Sequence, residues 1–318
     1  MEGLRDGFSD CQRMAILGID STLGANLALA LSDRFAVLGL YGRHAVALEG
    51  CWTASWNPAD LPAVRRMILD HRPHWIVLCG PFCASSWDSP AESPSADDAR
   101  RTARRLALLA AEAGSRLTIL STDAVFAGPR MFHAETDPAL EPRPCAQAAL
   151  GVEQAVQDSD ALVVRTHAFG WSPAGVKSGF AERLWQGVRE GASSPASPHS
   201  YATPILATDL AELLWLAYRR RLAGLYHIAG AERTSQRRFA TEMAAAFGLA
   251  QPPSPSPENP FDSSEVRETS LDTRRARRGG QRGMPMLREG LERFAQQAVN
   301  GFRARLQSPA RRPAREAA

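Results

Sequence analysis

The 318-residue sequence has almost no lysine and few tyrosines. Lys177 is its only lysine, and its four tyrosines are Tyr41, Tyr201, Tyr218 and Tyr226. The 37 basic residues are therefore almost all arginine, and the formal net charge is only +3. This small excess, in clusters that are not interleaved with aromatic residues, predicts no nucleic-acid-binding surface.

Cysteine is also scarce, and long apolar runs are missing. The five cysteines are Cys11, Cys51, Cys79, Cys83 and Cys145. Their odd number and scattered spacing argue against a disulfide framework, and they form no recognisable zinc motif. No run approaches the roughly 18 apolar residues of a membrane helix, and the first residues lack a signal-peptide core. We therefore predict a cytoplasmic protein without a metal site or membrane association.

Short apolar segments alternate with segments of helical periodicity in the first half of the chain. Strands are predicted at residues 13–17, 35–40, 75–79, 117–121 and 161–165, and helices at 23–32, 61–71, 96–113 and 145–157. Continuously apolar strands separated by helices are typical of a parallel sheet covered on both faces. The fold class predicted is therefore α/β, with a Rossmann-like doubly wound parallel sheet.

The pattern changes after Trp171, which indicates a smaller C-terminal substrate-binding lobe. We assign residues 14–170 plus about 201–223 to the dinucleotide-binding domain. Residues of about 171–200 and 224–300 are assigned to the lobe, with a last helix predicted at 287–305. Residues 1–13 and 306–318 are predicted to be flexible tails.

The turn between the first strand and the first helix reads Gly18-Ile-Asp-Ser21-Thr-Leu-Gly24. In the glycine-rich form of this turn, backbone amides at the start of the helix bind a diphosphate. Ser21 replaces the middle glycine; it offers an amide and a hydroxyl as donors, but its Cβ crowds the phosphate. The candidate cofactor-binding residues here are Gly18, Ser21, Thr22, Leu23 and Gly24, with Cys79 and Gly80 after the third strand. The alternative is a turn that needs glycine for packing alone.

Arg43 follows the second strand, at the place where NAD-preferring sites have an acidic residue. No acid occurs in Tyr41-Gly42-Arg43-His44. Arg43 is able to face a 2′-phosphate, which favours NADP slightly over NAD as the cofactor. The alternative is that Arg43 is a solvated loop residue.

Several longer motifs occur in order along the chain. They are LSTDAVFAG at 120–128, VVRT at 163–166, TPILATDLA at 203–211, GLYHIAG at 224–230 and LREGL at 287–291. Through them the sequence, over about residues 14–295, resembles the dTDP-4-dehydrorhamnose reductase group of extended short-chain dehydrogenases. The resemblance implies NAD(P) as the cofactor and a nucleotide sugar as a further ligand.

The resemblance also implies a hydride-transfer site made of a tyrosine, a lysine four residues later and a Ser or Thr. The lysine is needed because a phenol has a pKa of about 10 and a nearby cation lowers it. Cys145 and Ala149 stand at the tyrosine and lysine positions, and no Tyr-x3-Lys occurs anywhere in the chain. The candidate catalytic residues are therefore Thr122, which is retained, and Cys145. Their alternatives are a threonine bonded to local backbone and a packing cysteine.

Three functions follow from these features. The first is a protein that binds NAD(P) or a nucleotide sugar without catalysis and acts by binding or regulation, with a protein partner or as a homo-oligomer. The second is an active NAD(P)H-dependent 4-keto nucleotide-sugar reductase or epimerase with a different proton donor. The third is an interaction protein that has also lost the cofactor. His133 and His167 are further residues able to line a substrate cleft.

Overall fold

The computed structural model describes residues 12–88, 95–191, 196–251, 266–279 and 283–308. Seven parallel strands form its central sheet. They are β1 (Gln12–Leu17), β2 (Phe35–Tyr41), β3 (Cys51–Ser55), β4 (Trp75–Leu78), β5 (Arg116–Thr122), β6 (Leu162–Thr166) and, later in the chain, β10 (Gly224–His227). The order across the sheet is β3-β2-β1-β4-β5-β6-β10. The strand order reverses next to β1, as in a dinucleotide-binding fold, which confirms the α/β Rossmann-like fold class.

The other strands are short and lie outside the central sheet. They are β7 (Ala168–Phe169), β8 (Ser200–Ala202), β9 (Ile205–Leu206), β11 (Thr234–Ser235) and β12 (Arg267–Glu268). Strands β11, β8 and β12 form a three-stranded sheet, and β7 pairs with β9. The three-stranded sheet joins segments that are far apart in sequence, because β12 pairs with β8.

The described residues contain ten α-helices. They are α1 (Thr22–Leu31), α2 (Leu61–His71), α3 (Ala96–Glu112), α4 (Pro144–Ala155), α5 (Phe180–Arg189), α6 (Ala207–Arg219), α7 (Gln236–Ala246), α8 (Arg274–Arg278), α9 (Leu287–Val299) and α10 (Phe302–Leu306). Helix α3 packs against α4, and α1 packs against α6. None of the described helices is both long enough and apolar enough to cross a membrane.

Local sequence signals explain the helix ends that matter for the site. Ser21 caps the start of α1, and Asp60 caps α2 by accepting a hydrogen bond from the Ala63 amide at 3.1 Å. Strand β4 has the sequence WIVL and is buried along its whole length, as expected for a central strand of a parallel sheet. These signals made the first half of the fold predictable.

Several sequence predictions were wrong in detail. The strand at Gly224–His227 pairs with β6 in the central sheet, although we had placed it in the lobe. Gly301, with φ of +88°, separates α9 from α10 within the single helix predicted at 287–305. Residues 12–13 belong to β1 and Leu306 ends α10, so these parts of the predicted tails are ordered. The remaining tail residues, 1–11 and 309–318, lie outside the described residues, and the division into two domains stays a prediction.

Candidate functional site

A cleft of about 1020 Å³ opens at the carboxyl ends of β1 to β4. Ligands of open α/β sheets bind at this edge, where the strand order reverses. Seven of the eight predicted cofactor-binding residues line the cleft, namely Gly18, Ser21, Thr22, Leu23, Arg43, Cys79 and Gly80. Gly24 lies behind them in the first turn of α1. The fold thus brings the predicted residues together, and their binding role stays a prediction.

Two glycines of the first turn are required by close packing. Gly18 has φ of +87°, and a Cβ there would lie 1.7 Å from the carbonyl oxygen of Cys79. A Cβ at Gly24 would lie 2.2 Å from the carbonyl oxygen of Gly18. The backbones of β1, β4 and α1 therefore approach each other as they do in a phosphate-binding turn. The packing requirement holds at both positions whether or not a ligand binds.

Ser21 does not present its donors to the cleft as we expected. Its amide and its hydroxyl both donate to the carbonyl oxygen of Gly18, at 3.1 and 2.7 Å. The hydroxyl also accepts from the amide of Gly24 at 3.0 Å, which makes it the N-cap of α1. The donors left for a phosphate are the amides of Thr22 and Leu23, which as the first amides of a helix have no intrahelical acceptor.

Asp20 is a cleft residue that the sequence analysis missed. Its Oδ2 accepts hydrogen bonds from three successive amides after β2, those of Gly42, Arg43 and His44, at 3.1, 2.9 and 3.2 Å. Successive backbone amides of this kind form a site for an anion. The Asp20 carboxylate fills that site from within the chain.

The remaining wall of the cleft contains further residues that the sequence did not single out. Trp56 and Asn57 line it from the loop after β3, and Lys177 lines it from the opposite side. Of the residues described, none of the four tyrosines lines the cleft. Tyr201 and Tyr226 instead lie under Arg233 and Arg275, at 3.6 and 4.6 Å. The only lysine of the chain therefore lines a cleft whose described lining contains none of the four tyrosines.

Thr122 ends β5 next to this cleft but is sealed from it. The residue is fully buried, and its hydroxyl donates to the carbonyl oxygen of Ala84 at 2.6 Å. The same hydroxyl accepts from the amide of Ala124 at 3.0 Å. Both interactions are with backbone, so the alternative role that we gave Thr122, a hydroxyl bonded to local backbone, describes its environment.

Asp123 forms the centre of a buried polar cluster beside Thr122. Its Oδ2 accepts from the hydroxyls of Ser86 and Thr269 at 2.6 Å each, and it lies 2.7 Å from Nδ1 of His167. The Ser86 amide donates to Oδ1 at 2.9 Å. Burial raises the pKa of Asp123, but the His167 charge and the hydrogen bonds outweigh it, so the pKa is lowered. Asp123 is thus a buried, ionised and satisfied carboxylate.

Residues 84–88, which we call the sealing loop, cover this polar cluster. Trp87 is buried and contacts the rings of His167, Phe180 and Phe239, with centroids 4.5, 5.2 and 5.7 Å away. Asp88 accepts from the amide of Phe180 at 2.8 Å and so ties the loop to α5. Two buried nitrogens, Nε2 of His167 and Nε1 of Trp87, find no partner in the described structure.

His133, the other histidine considered from the sequence, lies away from the cleft. Its ring stacks on Phe126 at 4.2 Å, and its Nε2 lies 3.2 Å from the carbonyl oxygen of Glu268. Burial lowers its pKa. Thus neither His133 nor His167 lines the cleft of the described structure.

Cysteine chemistry and metal binding have little support in the described residues. Burial raises the pKa of Cys51 to about 12 and of Cys83 to about 11, and it also raises the pKa of Cys79. These thiols are free and un-ionised at neutral pH, so they are poor nucleophiles. The part of the chain that the structure describes has no group of three or more His, Cys, Asp or Glu side chains placed to hold a metal ion.

A comparison with known protein families shows the family to which the chain belongs. Residues 12–300 match the sequence model of a family described as the RmlD substrate binding domain. The chain belongs to this RmlD family. No curated protein sequence matches the chain.

Solved structures with the same fold include members of several nucleotide-sugar enzyme groups. A hypothetical dTDP-4-dehydrorhamnose reductase from Sulfolobus tokodaii is 24% identical, with 84% of this chain and 94% of that one covered and a TM-score of 0.66. The Bacillus anthracis reductase, in complex with NADP, is 20% identical, with 89% and 98% covered and a TM-score of 0.70. A UDP-glucose 4-epimerase from Thermotoga maritima with UDP-glucose is 15% identical, with 92% and 100% covered and a TM-score of 0.71. These similarities show a shared fold.

The positions that the RmlD resemblance gives to the catalytic pair both lie on α4. Cys145 is half-buried in the first turn of that helix, and Ala149 is fully buried one turn later. Neither residue lines the cleft of the described structure. Arg267 is distant from Cys145 in sequence, but the Cys145 thiol has a small influence on the pKa of the Arg267 guanidinium. No local pattern in the sequence indicated this cation.

Proposed function

We propose that this RmlD-family protein binds NAD or NADP and acts through that binding, without transferring hydride. The observation that carries the proposal is a contrast at the carboxyl edge of the sheet, between groups that suit a dinucleotide and the lack of a tyrosine in the described cleft lining. The cleft holds a glycine turn, two available amides and Lys177, whereas no tyrosine lines it and Thr122 is sealed beneath Ala84. A bound nicotinamide ring supplies a hydride donor or acceptor, but the described cleft offers no phenol with which to move the accompanying proton.

The residues present fit a dinucleotide at its diphosphate end. The Thr22 and Leu23 amides lie at the positive end of the α1 dipole, where an anion is stabilised. Thr22 is itself held in place, because its Oγ1 lies 3.0 Å from the hydroxyl of Ser172. The NADP complex of the Bacillus reductase and the UDP-glucose complex of the Thermotoga epimerase support a dinucleotide and, in addition, a nucleotide sugar as ligands. The protein partner, the oligomeric state and the cytoplasmic location remain predictions.

Calorimetric titration of the purified chain with NAD and NADP tests the proposal. We expect saturable heat for at least one of them, together with a rise in melting temperature that grows with ligand concentration. Ala59→Trp, at an exposed position of the cleft wall, should abolish both signals. Ala111→Trp, at an exposed position on α3 outside the cleft, is the matched control and should keep them. Absence of heat and of stabilisation in the wild type would favour a protein that has lost the cofactor.

A second function is suggested by the position of Cys145, half-buried in the first turn of α4, where the RmlD resemblance places the tyrosine. In this function Cys145 exchanges the proton in place of the tyrosine of a 4-keto nucleotide-sugar reductase or epimerase. Its position outside the cleft argues against this role. If it is correct, the wild type will consume NADPH with a 4-keto nucleotide sugar, and Cys145→Ala will not. An absorbance trace equal to that of the buffer blank rejects it.

A further inference from the structure

A second cavity, of about 730 Å³, lies at the opposite edge of the central sheet from the dinucleotide cleft. We call it the arginine groove. Its lining residues come from the starts of β1, β2 and β5 and from the end of α6, and they are Gln12, Arg34, Phe35, Arg116, Trp215, Tyr218, Arg219 and Arg221. Four of the eight carry a guanidinium group. Of these four arginines, only Arg219 and Arg221 lie close together in sequence.

Aromatic packing organises the groove. The guanidinium groups of Arg34 and Arg219 lie 4.4 and 5.0 Å from the ring of Trp215. Tyr218 in turn stacks on Trp75 at 4.6 Å, which anchors the end of α6 to the core. Cation–π contacts of this kind hold a guanidinium in place.

Backbone geometry fixes the other two arginines. Arg116 donates from its Nη2 to the carbonyl oxygen of Leu222 at 3.1 Å. Arg221 adopts a left-handed conformation, with φ of +55°, at the position after a helix where glycine is favoured. This conformation is unfavourable for any residue other than glycine, so the chain holds Arg221 here at a cost.

Carboxylates of the described residues lie close to two of the guanidinium groups, those of Arg34 and Arg116. Glu212 pairs with Arg34 at 2.8 Å, and Asp160 attracts Arg116. Burial lowers the pKa of Arg116, and the charge of Arg221 lowers it further. Like charges that packing holds together repel each other, and a bound anion removes that repulsion.

We propose that the arginine groove binds a small oxyanion with several negative charges, such as an oligophosphate or a polycarboxylate. Guanidinium groups bind both classes through paired N–H···O hydrogen bonds. The volume is within the range of small-molecule sites. Because the groove lies at the amino ends of the strands, its ligand and a dinucleotide can bind the same molecule together.

Calorimetric titration of the full chain with inorganic tripolyphosphate, and separately with citrate, tests this site. Arg219→Gln combined with Arg221→Gln should weaken binding by about tenfold or more, since each change removes charged hydrogen bonds. Both residues are exposed, so we expect the melting temperature without ligand to stay at its wild-type value. Arg104→Gln, an exposed arginine of α3 outside both cavities, should leave the affinity unchanged. Binding of tripolyphosphate alone assigns a phosphate ligand, and binding of both ions assigns an oxyanion site.

Two results would overturn the proposal. One is that wild type binds neither ion, or that the double variant and Arg104→Gln bind equally. The other is that Ala59→Trp, which blocks the dinucleotide cleft, removes the heat of tripolyphosphate while the double variant keeps it. The second result would place the ion at the start of α1. Since NAD and NADP are absent from this titration, the outcome does not depend on whether the proposed function is correct.

Discussion

The carboxyl edge of the sheet has two parts that differ in how they are filled. We call the part at the ends of β1 to β4 the open half and the part at the ends of β5 and β6 the sealed half. Around β1 to β4 the chain leaves a cleft of about 1020 Å³, bounded by the glycine turn. At the ends of β5 and β6, only a few residues away, the sealing loop covers Thr122, Asp123 and His167. Binding geometry and reaction geometry are therefore separable within one Rossmann-like sheet. The first is set by backbone and glycine, and the second by side chains that this chain lacks or has buried.

The largest effect that we expect is the loss of stability when the buried polar cluster around Asp123, in the sealed half, is broken. Asp123→Ala leaves His167 and two hydroxyls without their acceptor, so it should lower the free energy of unfolding by about 3–5 kcal/mol. Urea denaturation measures this change. Asp209→Ala removes a more exposed pair, with Arg293 at 2.8 Å, and should cost less than half as much. Equal losses in the two variants would mean that the Asp123 cluster has no special structural role.

Gly18→Ala tests the open half in the same way. The new Cβ meets the carbonyl oxygen of Cys79, and φ is +87°, so we expect a loss of about 2–4 kcal/mol together with loss of dinucleotide binding. Gly248→Ala is the matched control, because φ there is +63° but nothing lies within 4 Å of the added Cβ. The Gly248→Ala variant therefore has the cost of a positive φ at alanine but not the steric clash of Gly18→Ala. If Gly18→Ala bound NAD(P) like the wild type, the turn would not be a phosphate cradle.

The pH dependence of stability probes His227, which ends β10 beside β6. Burial and the charge of Arg165 lower the pKa of His227 to about 3. The unfolded chain, with a histidine pKa of about 6.5, therefore binds the extra proton first as the pH falls, and stability is lost from about pH 6.5 downwards. Between pH 6.5 and 5 this loss is on the order of 2 kcal/mol.

The variant His227→Asn should remove that part of the slope, while His71 and His133, whose pKa values burial also lowers, keep a residual slope. Urea titrations of wild type and variant at pH 6.5 and 5 make the comparison. Parallel losses in the two proteins would show that His227 is protonated in the native state or is accessible to solvent.

The smallest effect concerns the choice of cofactor in the open half. The Asp20 carboxylate accepts hydrogen bonds from the three amides after β2. If a 2′-phosphate binds beside Arg43 as predicted, Asp20 repels it and Arg43 attracts it. Asp20→Asn should therefore raise the ratio of NADP to NAD affinity by about tenfold, or 1.4 kcal/mol. Titrations with both dinucleotides measure the ratio. A ratio that stays constant would remove Asp20 from the set of residues that select the cofactor.

The backbone of the open half could be predicted from sequence because its signals are local. Continuous apolar strands, the glycine turn and the helix caps each act within a few residues, and seven of the predicted cofactor-binding residues do line one cleft. Strand β3 escaped prediction because its five residues are partly exposed and lack a continuous apolar pattern. Local signals also misplaced Gly224–His227, whose partner strand lies about sixty residues earlier.

The sealed half could not be predicted, because its contacts join distant segments. Ser86 and Thr269 converge on Asp123 from positions 37 and 146 residues away in sequence. The same reason hides the grouping of the four arginines in the arginine groove. Asp20 was missed for a different reason, because an acid inside a phosphate-binding turn has no obvious role until its amide partners are seen.

The most direct test of binding without hydride transfer uses NADPH deuterated at the transferable position. The wild-type chain is saturated with this dinucleotide, incubated with a 4-keto nucleotide sugar, and the sugar is analysed by mass spectrometry. We predict measurable NADPH binding and no deuterium in the sugar above a protein-free control. Deuterium in the sugar, lost in Cys145→Ala, would contradict the account and establish a working reductase with a different proton donor.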